Sequence, residues 1–155
     1  MSYQIQAIGA EHDHALRLII ESVGAEYGAI GEGFGPSDEE VKCMSKHYQE
    51  DNKSLYLVAI INGKVVGGCG IAPFIEQQGV CELRKLFLIP ESRGLGIGKA
   101  LAQACLDFAK HNGFQRCYLD TLATMQSAIA LYMQLGFTHL SQPFSGLFTM
   151  AVTFG

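Results

Sequence analysis

The chain has 155 residues, 48% of them apolar, and a formal net charge of −4. That length and apolar content fit a single domain over residues 1–155 with a sizeable core. The charge, with no run of Lys or Arg, argues against nucleic acid or an anionic membrane as partner, since either would call for a basic face, whereas small cationic substrates are easier to accept.

Five cysteines without C-x-x-C spacing, mostly inside apolar segments, read as reduced and buried, which places the protein in the cytoplasm. The N-terminus MSYQIQAIGAEHDH has no basic-then-apolar signal region, and no apolar run approaches the ~20 residues that span a bilayer. His12 and His14 near the first helix and His47 on the second read as solvated or hydrogen-bonded and not as metal ligands, so no metal is expected.

Tyr3 to Ala7 alternates as a first strand, and Asp13 is placed to cap a helix whose apolar face is Ala15, Leu16, Ile19, Ile20 and Val23. The glycine-rich stretch Gly24 to Ser37 carries Tyr27, Glu32 and Phe34; it either borders a substrate pocket or simply connects at the surface. Ser37 and Glu40 have capping-box spacing for a second helix that turns Val41, Met44 and Tyr48 inward. Ser54 to Ile61 and Lys64 to Ala72 are strands joined by Asn62-Gly63, a strong hairpin signal. A third run, Val80 to Ile89, follows the turn Glu76-Gln77-Gln78-Gly79, so the middle of the sheet is a meander and not a repeated βαβ. In this third strand Cys81 and Leu83 are apolar on odd positions and Leu86 and Leu88 on even ones. A one-residue bulge near Arg84-Lys85 accounts for that change of phase.

Pro90 stops the strand, and Arg93-Gly94-Leu95-Gly96-Ile97-Gly98-Lys99 leads into a helix whose stripe is Ile97, Leu101, Cys105 and Phe108 and whose stop is Asn112-Gly113. Unpaired N–H groups and the positive dipole end make such a helix start an anion site, with Arg93 and Lys99 adding positive charge. The P-loop pattern fails twice, because Arg93 stands where its first glycine belongs and Ala100 where its Ser or Thr belongs. The dinucleotide pattern fits Gly94 and Gly96 but meets Lys99 at its third glycine, although Asp120 lies at a plausible distance for a ribose contact. A strand from Cys117 to Thr121, a short helix from about Gln126 to Leu135, and a last pair, Phe137 to Leu140 and Leu147 to Phe154, complete the chain.

Arg93, Gly96 and Gly98, in the pattern [RQ]-x-x-G-x-[GA] between a strand and a helix, and Tyr132-Met133-Gln134-Leu135-Gly136-Phe137 further on, resemble the two signatures of the GNAT superfamily of N-acetyltransferases. The resemblance implies an α+β fold of order βααββββαβαββ, with a mixed, mostly antiparallel sheet of six or seven strands that splay near the cofactor, flanked by about four helices. It implies acetyl-CoA as cosubstrate, with the diphosphate on Arg93, Gly94, Leu95, Gly96, Ile97, Gly98 and Lys99 and the thioester along Leu86, Phe87 and Leu88. Tyr132 matches the family's proton donor to the departing thiolate. Glu82, eleven positions before Arg93, matches a glutamate that deprotonates the amine; the alternative is a structural ion pair with Arg84. Met125 stands where many members carry a cofactor-holding asparagine, and Gln126 or Ser127 could substitute. The implied activity is acetyl transfer to a primary amine of a small molecule or peptide by direct attack, with a non-catalytic acyl-CoA sensor as the other reading; dimers are frequent in the family, which allows a homodimer.

Overall fold

The run before Asn62-Gly63 is apolar at every position because both of its faces are covered. In the computed structural model, which describes residues 2–27, 38–121, 125–140 and 148–154, it forms β2 (Leu55–Ile61), and β3 (Lys64–Pro73) folds back on it. Asn62 and Gly63 have φ of 51° and 78°, the paired left-handed conformation of a two-residue hairpin. Together with β1 (Gln4–Ala7), β4 (Val80–Leu88), β5 (Arg116–Thr121), β6 (Thr138–His139) and β7 (Phe148–Thr153) they build a seven-stranded sheet ordered β1-β2-β3-β4-β5-β7-β6. The β4–β5 pair is parallel and the other pairs are antiparallel. Three strands, not the four of the expected order, lie between the second helical segment and the next helix, because residues 54–89 contain only three strand runs.

Side chains alternate across β2, so Tyr56 and Val58 join Leu16, Ile20, Val41 and Met44 on one face. Leu57, Ala59 and Ile61 meet Ile97, Leu101 and Cys105 on the other. The first layer is α1 (Asp13–Glu26) with a 3-10 segment, Glu39–Lys46; the second is α2 (Ile97–His111) with α3 (Gln126–Gln134). The expected second α-helix is therefore a 3-10 segment, broken by a non-helical Cys43 (φ −155°, ψ 68°), although Val41, Met44 and Tyr48 are buried as its spacing predicts. Its capping residue Ser37, the loop residues Glu32 and Phe34, and Leu147 lie outside the described residues. Asp13 begins α1 but does not cap it. Its carboxylate accepts from the Ser45 amide at 2.8 Å and from the Cys43 thiol at 3.3 Å, tying the 3-10 segment to α1.

Two irregularities of β4 shape the site. Between the pairs Gly68↔Phe87 and Gly70↔Arg84, β3 advances two residues and β4 three, and Lys85 in that interval has φ of 52°. The strand thus carries the bulge that its change of apolar phase predicts. Ahead of it, β4 pairs with β5 only from Val80 to Glu82, while β5 continues to Thr121 paired with β7. From Leu83 onward the two parallel strands separate, and a wedge opens in the sheet. Among the described residues no helix is long and apolar enough to cross a membrane, and all five cysteines are free.

Candidate active site

The wedge is bounded on one side by the second half of β4 and on the other by the start of α3. Leu86, Phe87 and Leu88 line a cleft of about 180 Å³ together with Val23 and Tyr27 of α1, Arg93, and Met125, Ser127, Ala128 and Leu131. Ser127 thus faces the same cleft as Met125; Gln126 is exposed. Lys85 and Leu86 have no partner on β3, and no strand runs along the far side of Leu83 to Leu88 among the described residues, so main-chain groups face the wedge.

The glycine turn stands at the mouth of this cleft. Gly94 and Gly96 have φ of 79° and 83°, and a Cβ at either would meet nothing within 4 Å. These positions need glycine for backbone conformation and leave open space above it. Gly96 caps α2 with no side-chain bond, and among the described residues the N–H groups of Gly94 to Lys99 have no acceptor. Orphan amides at the positive end of a fifteen-residue helix, under open space, fit a diphosphate. Lys99 and Leu95 are exposed beside them, and Ile97 is buried in the core. Gly98 has another constraint: its Cβ would lie 3.2 Å from Leu88 Cδ1 and 3.3 Å from Leu131 Cδ1, so it lets α2 approach β4 and α3 closely.

Arg93 is held in place and is not the mobile charge its position suggests. Its Nε and Nη2 donate to the Leu88 carbonyl at 3.2 and 2.9 Å, and its two terminal nitrogens donate to both oxygens of Glu26 at 2.7 and 2.8 Å. The guanidinium also lies over the Tyr27 ring at 5.6 Å. Its hydrogen bonds to Glu26 raise its pKa and lower that of Glu26, so the pair stays charged. Arg93 therefore joins the end of α1 to the end of β4.

Tyr132 is buried on α3, 7% exposed, against Phe137 with ring centroids 5.9 Å apart. Burial, and to a smaller extent Cys69, raises its pKa far above 10, so its hydroxyl keeps its proton. Among the described residues no acceptor takes that hydroxyl. It does not line the cleft of Leu86 to Leu88.

Glu82 belongs to a second hollow, around the bulge from Leu86, which it lines with Asp38, Glu40, Leu83, Arg84, Lys85 and Asp120. Its carboxylate pairs with Arg84 Nε at 2.7 Å. Burial alone would lower the Arg84 pKa, but Glu82 reverses this and holds the guanidinium charged. The Lys85 side chain is 9% exposed and its Nζ lies 2.9 Å from Asp38 and 3.3 Å from Glu40, and Tyr48 donates to Glu40 at 2.6 Å. Glu40 is pushed up by burial, but its bonds to Tyr48 and Lys85 outweigh this and its pKa ends below the ordinary value. Thr149 donates to Asp120 across β5 and β7. Sequence reasoning gave Asp38 and Glu26 no role, used Glu40 only as a capping partner, and weighed Asp120 only for a ribose. The available signal was the alternation of Glu82 and Arg84 on β4 and of Tyr118 and Asp120 on β5, where Glu82 pairs with Tyr118, since alternate residues share a face.

Two strands that part beside a helix start with free amides leave a cleft suited to a ligand that carries a phosphate, and comparison with known proteins identifies the class of protein. The acetyltransferase (GNAT) family matches residues 20–137. The chain is 39% identical over 128 residues to the uncharacterized N-acetyltransferase YjgM of Escherichia coli K12, covering 81% of this chain and 76% of that protein. It is 36% identical over 108 residues to human N-acetyltransferase 8, covering 68% of this chain and 48% of that protein, so it spans about half the length of that relative. Among solved structures, the PaiA N-acetyltransferase of Thermoplasma acidophilum in complex with coenzyme A shares the fold with a TM-score of 0.82 at 23% identity, covering 99% of this chain and 100% of that one. The chain therefore belongs to the GNAT family of N-acetyltransferases.

Proposed function

We propose that the chain, as one N-acetyltransferase domain over residues 1–155, moves the acetyl group of acetyl-CoA to a primary amine of a small molecule or peptide by direct attack. The observation that carries this reading is the juxtaposition of free amides at Gly94 to Lys99 with the side of Leu86 to Leu88 that, among the described residues, no strand pairs. When bound, acetyl-CoA supplies the thioester whose acyl carbon the amine attacks. The amides of Gly94 to Lys99 hold the diphosphate, and Ser127 contributes a hydroxyl where the family's asparagine is replaced by Met125. Main-chain groups of Leu86 to Leu88 orient the acyl carbonyl, and fixed N–H dipoles in a wedge shielded by Leu88 and Leu131 polarise it without reorganisation. Tyr132, held protonated by burial, donates its proton to the leaving sulfur. Glu82 takes the proton of the incoming amine on the other side of the bulge, with Arg84 orienting it.

The carboxylates around Glu82 suit a cationic acceptor, which must lose one proton before it reacts. Four free, buried cysteines suit a reducing cytoplasm. The test is release of free thiol from acetyl-CoA across a panel of amines, with acetyl-CoA binding measured alongside. Turnover with at least one amine supports the reading. Tight binding with no turnover on any amine moves it to an acyl-CoA sensor, and no binding overturns it.

A further inference from the structure

We infer that Tyr56, remote in sequence from every motif, is a positioning residue that holds the β4 bulge in the conformation the acyl site needs. The assignment rests on the reading of Leu86 to Leu88 as the thioester-binding edge. Tyr56 is 1% exposed, and its hydroxyl donates to the Lys85 carbonyl at 2.7 Å. Lys85 is the bulge residue with φ of 52°, a conformation that disfavours an L side chain and persists only where its surroundings impose it.

The neighbours of the ring explain why it reaches that carbonyl. A Cβ on Gly68 would lie 2.5 Å from Tyr56 Cε1, and a Cβ on Gly70 2.5 Å from Tyr56 Cδ2. The two glycines of β3 therefore form a trough across which the ring lies flat, with the Tyr48 ring edge-on at 5.4 Å closing it. β3 pairs Gly68 with Phe87 and Gly70 with Arg84, so the trough spans the bulge on the neighbouring strand. The Lys85 side chain is fixed as well, between Asp38 and Glu40. Backbone and side chain of one residue are thus held from two directions, and the residues read as the acyl-binding stretch begin at the very next position, Leu86. Gly68, Gly70 and Tyr56 form one device: without the glycines the ring has no place, and without the hydroxyl the left-handed carbonyl loses its buried side-chain donor.

The test compares acetyl-CoA with ADP, which carries the diphosphate but has no pantetheine or acyl group to reach β4. By calorimetry, Tyr56→Phe weakens acetyl-CoA binding about tenfold while ADP binding stays at the wild-type value, because loss of a positioning group by a fraction of an ångström acts on the groups it positions. Gly70→Ala displaces the same ring from β3 without removing the hydroxyl, gives the same split, and serves if the first variant does not fold. Wild-type acetyl-CoA affinity in either variant, or ADP weakened in step with acetyl-CoA, overturns the assignment. A wild-type protein that binds neither ligand refutes the acetyl-CoA reading itself and is told apart by that result.

Discussion

Tyr132 shows how one environment decides what a side chain can do. Burial makes the phenolate unfavourable, so near neutral pH the hydroxyl is a proton donor and not a base. Tyr132→Phe keeps the packing against Phe137 and removes only that proton. The expected result is a fall in kcat of about a hundredfold with acetyl-CoA affinity unchanged, the range for a positioned general acid, read from steady-state rates beside calorimetry. Glu82 is a different case, because the same carboxylate is both the proposed base and the partner of Arg84. In Glu82→Gln the amide still reaches Arg84 but accepts no proton from the amine, so kcat/KM should fall by about a hundredfold in steady-state rates while acetyl-CoA affinity stays unchanged. A variant that keeps the wild-type kcat/KM assigns Glu82 to the ion pair alone.

The turn into α2 has two kinds of glycine, which respond differently to the same substitution. At Gly96 a methyl group has room but φ of 83° does not suit it; the cost is about 1–2 kcal/mol of backbone strain. At Gly98 the backbone accepts alanine, but the methyl presses on Leu88 and Leu131. Gly96→Ala should therefore weaken ADP and acetyl-CoA equally, since it disturbs the amides that hold the diphosphate. Gly98→Ala, which pushes α2 away from β4 and α3, should weaken acetyl-CoA more than ADP. Equal losses from both variants would show that the turn acts as one unit.

Over the whole molecule, titration of buried groups sets the pH range of stability. Tyr48, Tyr56, Tyr118 and Tyr132 all have raised pKa values, burial being the largest cause in each. A raised acid pKa favours the folded state while the unfolded chain is also protonated. The gain is lost as pH climbs above about 10, where the unfolded tyrosines ionise and the folded ones do not. Glu40 works in the opposite direction: its lowered pKa contributes stability above the unfolded carboxylate value, and that contribution goes as pH falls through the folded one. Thermal unfolding followed by circular dichroism should show a broad neutral plateau, a steep fall above about pH 10, and a shallower fall below about pH 4. Tyr48→Phe should flatten both edges, because it removes one of the four tyrosines and a partner of Glu40.

Much of this is readable in the chain itself wherever cause and effect lie close together along it. The Asn62-Gly63 hairpin, the glycine start of α2 and the bulge at Lys85 are local: each is written in a few adjacent residues whose φ values or apolar phase leave few choices. The sequence alone thereby determined the family, the hairpin, the start of α2 and the position of the bulge in β4. The 3-10 segment reads as an α-helix in sequence because its inward spacing suits either, and its hold on Asp13 spans about thirty residues. Tertiary structure alone decided which charges are free. Arg93 is committed to Glu26, 67 positions away, Lys85 to Asp38, 47 away, and the Tyr56 hydroxyl to a carbonyl 29 away. Such partnerships depend on which segments the fold brings within about 3 Å, a distance that no pattern of neighbouring residues encodes.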